Sequence, residues 1–144
     1  MPRQLAELHQ RVVEDELGLP ATIDEAGYVN FEHPNLGALY ISLNESIPEY
    51  VQFVCLFCRD ETHAFEDLTR ICNSVNGSEL LAILTVDDSC FVVSAKVQMF
   101  LAAHGRMPDE ALLRAVIGRA MSSLKEAIEE FAKELQKLDS GSTA

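Results

Sequence analysis

The chain has 144 residues, with 11 Lys/Arg against 23 Asp/Glu and a net charge of −12. That length suits one domain able to bury roughly 70% of its unfolded surface, so neither a metal nor a disulfide is needed for folding. Acidity on this scale argues against nucleic acid and against anionic membranes, both of which are held by clustered Lys/Arg. No apolar run approaches the roughly 20 residues that cross a bilayer. Residues 1–5 lack a charged segment followed by an apolar one, so a cytoplasmic protein with reduced cysteines is expected. Residues 1–72 hold 4 Lys/Arg and 13 Asp/Glu, and residues 73–144 hold 7 and 10, so the acidity is concentrated in the first half. This suits a basic or unfolded protein segment as partner, and suits solubility equally well.

Residues 3–17 read as an amphipathic helix, because Leu5, Leu8, Val12, Val13 and Leu17 recur at three- and four-residue steps. Gly18 and Pro20 end it, and the acidic run Glu14-Asp15-Glu16 opposes the helix dipole at its last turn. Three strand candidates follow at 27–31, 38–43 and 49–57, the last dense in β-branched and aromatic residues. Short turn-bearing links favour an antiparallel meander. Residues 61–76 return to a helical period, with Phe65, Leu68, Ile71, Cys72 and Val75 on one stripe. Two apolar strands at 80–86 and 90–97 then flank the turn chemistry of Asp87-Asp88-Ser89, which makes a hairpin.

The final helix is expected over 109–137, with Pro108 in its first turn and a stripe of Leu113, Ile117, Ala120, Leu124, Ile128, Phe131 and Leu135. Glu129 and Lys133 have the spacing of an i,i+4 ion pair. The element order α-β-β-β-α-β-β-α indicates an α+β fold with an antiparallel sheet. It forms a single domain over residues 1–138, leaving 139–144 as a disordered tail.

Chemistry-bearing clusters are few. Cys55 and Cys58 form a CxxC followed by His63 and Cys72, the raw material of a thiol or metal site. On a regular strand, however, positions three apart point to opposite faces, and Leu56-Phe57 is not a turn. Buried free cysteines used as small apolar residues are the alternative. His9, His33, His63 and His104 lack spaced partners and read as surface or turn histidines. There is no nucleophile elbow and no glycine-rich phosphate loop. The residues therefore point to no enzyme, no cofactor and no resident metal.

What remains is binding. The hairpin 80–97 carries apolar groups on both faces. One face must meet helices, and the other needs a partner, a second copy or further burial within the chain. Leu81, Ile83, Phe91 and Val93 are the candidate partner or dimer surface. Short outer strands such as 27–31 would also leave an edge open to strand addition. A small-molecule sensor, with an apolar pocket between the sheet and the final helix, is the alternative.

The element order in about 140 acidic residues resembles the type III secretion chaperone-like fold. The stretch Ile71 to Asn76, the hairpin 80–97 and the opening of the last helix from Met107 to Leu113 resemble the YbjN family, candidate bacterial sensory transduction regulators. The resemblance spans roughly residues 62–137. It implies a small, homodimeric, non-enzymatic protein acting as a chaperone for a protein client or as a regulatory adaptor. Asn73 and Asn76 are the matching helix-end positions, and the expected task for them is to cap the second helix.

Overall fold

A computed structural model describes residues 4–87 and 92–141. The first helix, α1 (Gln4–Val12), turns Leu5, Leu8 and Val12 inward, and a π-helical turn over Val13–Leu17 continues it. Gly18 stops the turn at φ 66°, a left-handed conformation natural to glycine. The acidic run that opposes the dipole is put to use. Asp15 and Glu16 pair with Arg114 at 3.0 and 3.4 Å, and Glu14 accepts the Ala21 N–H.

The strands are β1 (Ala21–Ile23), β2 (Val29–His33), β3 (Gly37–Leu43), β4 (Tyr50–Arg59), β5 (Ile83–Asp87) and β6 (Val92–Phe100). They make one sheet in the order β1-β2-β3-β4-β6-β5, every neighbouring pair antiparallel. The α+β class and antiparallel sheet expected from the sequence are the observed ones. The strand β1 is additional. At three residues with Thr22 in the middle it is too short to show a period, and it displaces 27–31 from the sheet edge. The helix α2 (Phe65–Ser78) links β4 to β5, and β6 inserts between them.

The last helix, α3 (Glu110–Gly141), is 32 residues long, about 48 Å at 1.5 Å per residue. Asp109 is its N-cap, accepting the Leu112 N–H on its side chain. The helix takes in Asp139–Gly141, which the sequence assigned to a loose tail. Lys133 pairs with Glu130 at 3.3 Å rather than with Glu129.

Two cross-sheet rows carry the core. Val29, Ile41, Phe53 and Val97 are in register, as are Phe31, Leu39, Cys55, Ala95 and Leu84, and all are buried. Against them pack Leu68, Ile71 and Val75 of α2 and Leu113, Ile117, Leu124 and Phe131 of α3, in one continuous cluster with α1. Thus the helices and the core occupy one side of the sheet.

Candidate interaction surface

The opposite side of the sheet is built from the alternate residues. One row crosses all six strands in register: Thr22, Asn30, Tyr40, Val54, Lys96 and Ile83. The period of 2 that sends Phe53 and Cys55 into the core sends Gln52, Val54 and Leu56 outward. Leu56, Ile83 and Phe100 are exposed at 54, 42 and 68%. Val54 is buried among its longer neighbours. Two aromatic pairs stiffen the surface. Tyr28 stacks on Tyr40 with ring centroids 5.8 Å apart, and Tyr50 lies 5.4 Å from Phe100. The Tyr50 hydroxyl donates to Gln98 at 2.6 Å, and the Gln52 amide donates to both. An open depression of about 400 Å³ runs between Tyr40, Leu56, Thr85, Val92 and Lys96.

Charge is sparse in the middle of the face and gathers at its rim. Lys96 is the one charged side chain in the middle of the face, with Glu32, Asp87 and Arg59 on strand positions at its rim. These four balance one another, but Asp24 accepts from Asn30 of the same row at 2.8 Å and Arg59 lies 3.6 Å from Glu61, so acidic groups also border the face.

Both sheet edges are closed by side chains at one residue each. On β1, the Ala21 N–H donates to Glu14 at 3.3 Å and its carbonyl accepts from Gln10 at 2.8 Å. On β5, the Leu84 N–H donates to the Asn76 carbonyl oxygen at 2.7 Å, and the Leu84 carbonyl accepts from the Asn76 amide at 2.9 Å. A primary amide carries a donor and an acceptor side by side, so Asn76 imitates one peptide unit of a neighbouring strand. Its expected role as a helix cap is therefore corrected. Edge strands left bare invite further strands, and these contacts occupy the outward groups of one residue on each edge.

Of the four residues expected on a partner surface, Ile83 lies on the bare face and Leu81 is exposed just before β5. Val93 is fully buried in the helix-side core, which corrects its placement at a surface. Its alternation with Val92 set the face, and the apolar character of both hid which one points inward. Phe91 lies outside the described residues. Tyr40, Val54, Leu56, Lys96 and Phe100 were missed. The alternation of Tyr50, Gln52, Val54 and Leu56 against Val51, Phe53 and Cys55 carried that signal.

The CxxC geometry also differs from the regular-strand expectation. A bulge between Leu56 and Cys58 shifts the register, so Cys55 pairs with Ala95 and Cys58 with Val93, two residues apart on β6. Both cysteines thus register with the core side. The Cys55 thiol donates to the Leu36 carbonyl at 3.4 Å. Burial pushes the Cys55 and Cys72 thiols up to about 11. Burial, then Asp60, raises Cys58. Such thiols stay protonated at neutral pH and are poor nucleophiles.

His63 is engaged on both ring nitrogens, with Nδ1 2.6 Å from Asp60 and Nε2 2.6 Å from Asp139. Both ring nitrogens face carboxylates of the same chain, and no group of three or more potential ligands is placed to hold a metal among the described residues. Asp139, then Asp60, raises the His63 pKa. Burial works against ionising Asp60, but the N–H groups of Thr62 and His63, the Thr62 hydroxyl and the His63 ring outweigh it and hold the carboxyl at about 2. This clamp joins the entry to α2 with the end of α3. His9 is a correction of another kind. It is fully buried, donates from Nδ1 to the Leu5 carbonyl at 2.9 Å, and has its pKa lowered by burial.

The helix-covered, six-stranded antiparallel architecture defines a fold shared with two solved structures. YbjN from E. coli, described as a candidate transcription regulator, superposes with a TM-score of 0.69 at 13% identity, over 90% of this chain and 92% of its own. A chain of the HopA1–SchA chaperone–effector complex superposes with a TM-score of 0.61 at 17% identity, over 91% and 95%. No protein-family profile matches the sequence, and no curated protein does. The chain therefore has the YbjN-like, type III secretion chaperone-like fold that its element order resembles.

Proposed function

We propose that this protein is a non-enzymatic binding module of the cytoplasm, a chaperone-like or YbjN-like regulatory adaptor whose partner is another protein. The observation that carries the reading is the bare sheet face. It is wide, apolar at Leu56, Ile83 and Phe100, carries its charges mainly at the rim, and is bordered by edges that side chains occupy at Ala21 and Leu84. Exposed apolar surface of this kind in an otherwise highly charged protein marks an interface. The fold neighbours support this, since one comes from a chaperone–effector complex.

The small-molecule reading draws less support. The α3 stripe lies flat on the sheet, with Leu113, Ile117, Ala120, Leu124 and Ala127 all essentially inaccessible. The depressions of 400 Å³ and more lie on the bare face, at its ends and between the α2 and α3 surfaces.

The test is affinity capture from the native host with the wild-type chain and a Leu56→Glu variant. Proteins recovered by the wild type should be lost with the variant while circular dichroism shows the fold intact. Equal recovery by both chains would refute binding through this face.

A further inference from the structure

We propose that α1 and its π-helical turn form a latch on the core side of the sheet, and that a proton on His9 opens it while the rest of the fold stays shut. His9 is fully inaccessible in the middle of α1. Its neighbours on the same helix face are Leu5 and Ala6 one turn before and Val12 and Val13 one turn after, all buried and apolar. A carbonyl only accepts, so Nδ1 carries the ring proton in its 2.9 Å contact with Leu5. Nε2 is then the bare lone pair, and it is buried with no hydrogen-bond partner among the described residues. A second proton would land there and leave an unpaired imidazolium among apolar groups.

The charged groups around it are committed elsewhere. Besides the π-turn, α1 packs on β1, β2, β3 and α3. Glu7 and Arg11 of α1 are exposed, and Arg11 binds Glu110 of α3 at 2.9 Å. Glu110 also takes Arg114 at 2.7 Å, and these two cations hold its carboxyl below the usual carboxylate range. Asp15 and Glu16 take the same Arg114, and Glu14 takes the Ala21 N–H. Farther along α3, Arg119 and Lys125 are exposed. On β2, Glu32 is exposed, and His33 has its own pKa lowered by burial and by Lys125. Strands β1 and β3 carry no charged side chain, and Tyr40 of β3 stacks on Tyr28. Burial lowers the His9 pKa, and the Leu5 carbonyl works against it. The closed latch therefore disfavours the proton. Its hold is complete above the ordinary histidine value and weakens as pH falls below about 6.5.

The latch is arranged to leave as a unit. It ends at Gly18, in the left-handed region at φ 66°, and the link from Gly18 to Pro20 lies outside any helix or strand. Its fastenings to α3 are partly exposed ion pairs, which contribute little each. Two other fastenings, Gln10 and Glu14, are the groups that occupy the Ala21 carbonyl and N–H on the edge strand β1. An open latch bares that edge, together with the core side of β2 and β3 on which α1 lies. Protonation of His9 thus couples acid to a strand-accepting edge that is otherwise occupied.

Amide exchange of the full chain, followed by NMR at about pH 7 and about pH 5 and corrected for intrinsic rates, tests this. One proton allows at most a roughly 30-fold rise in opening between pH 6.5 and 5. Protection over residues 8–17 and at Ala21 should fall about 10-fold within that limit, while the amides of α2 and α3 keep theirs. His9→Leu should hold the protection of α1 constant across the range, and His33→Gln should lose it as the wild type does. The ring nitrogen shifts of wild-type His9 give a reading that needs no variant, and should show the neutral Nδ1–H form until well below the ordinary value of about 6.5. Protection of α1 that does not change, a fall shared equally by α2 and α3, a fall that persists in His9→Leu or vanishes in His33→Gln, or a His9 ring that titrates at or above its ordinary value would each overturn the inference.

Discussion

Replacing Asn76 by alanine removes both hydrogen bonds to Leu84, at 2.7 and 2.9 Å, from a half-buried amide. A protein hydrogen bond is worth a net 0.5–1.5 kcal/mol, and a backbone group left unpaired costs more. Leu84 is only 1% exposed, so water replaces the lost partner poorly. The two bonds together predict a loss of about 2 kcal/mol in urea unfolding followed by circular dichroism. For a domain of this size that lowers Tm by roughly 4–8 °C. Asn76→Asp separates the edge contact from mere loss of packing. An ionised carboxylate still accepts the Leu84 N–H, but its second oxygen faces the Leu84 carbonyl. The introduced carboxyl is therefore favoured protonated, and its folded pKa lies above its unfolded one. Its contribution is present at acid pH and is lost as pH rises through the folded value. The variant should thus regain stability relative to Asn76→Ala on acidification. An alanine variant within about 0.3 kcal/mol of wild type, or an aspartate variant with no such recovery, would refute the reading of Asn76 as a surrogate strand.

Four further outcomes follow from the geometry. Asp60→Asn should cost about 2 kcal/mol near neutral pH, since the carboxyl is held at about 2 in place of its ordinary 3.8. In the wild type that stabilisation is present above the ordinary value and fades as pH falls toward 2, which acid titration of Tm can follow. His63 is shifted the other way by Asp139 and Asp60. Its contribution is complete below about 6.5 and is lost as pH rises through its folded value. His63→Gln should remove that dependence from a series of melts, and an unchanged profile would count against the clamp. Val93→Ala should cost about 2 kcal/mol and Ile83→Ala under about 0.5, because the first is core and the second is surface. Native Cys55 and Cys72 should react with a thiol reagent at pH 7.5 far more slowly than the unfolded chain, and equal rates would contradict their burial.

The core side of the fold was legible because it obeys simple periods. The stripe from Leu113 to Phe131 steps by three and four residues, and Val51, Phe53 and Cys55 alternate. Both signals survive because one continuous core reads them. The elements that escaped depend on contacts distant in sequence. Strand β1 has no pattern of its own and is held by Gln10 and Glu14 from the preceding helix. The bulge that turns Cys58 to the same side as Cys55 is a register event between β4 and β6. The last turns of α3 carry little apolar pattern beyond Leu138, and Asp139 ties them to His63, 76 positions earlier. In the hairpin, Val92 and Val93 are chemically alike, so which one faces outward is set by pairing with Asp87 and Val86. The bare face was therefore sensed as surplus apolar surface, and Val93 was assigned to the wrong side of the sheet.

Photo-crosslinking in the native host addresses the central claim most directly, with a benzophenone side chain at Leu56 or Phe100 on the face and at Met107 or Leu112 away from it. The account predicts protein adducts from the two face positions and not from the two controls. Adducts from Met107 and Leu112 alone, with Leu56 and Phe100 unreactive toward protein, would contradict it.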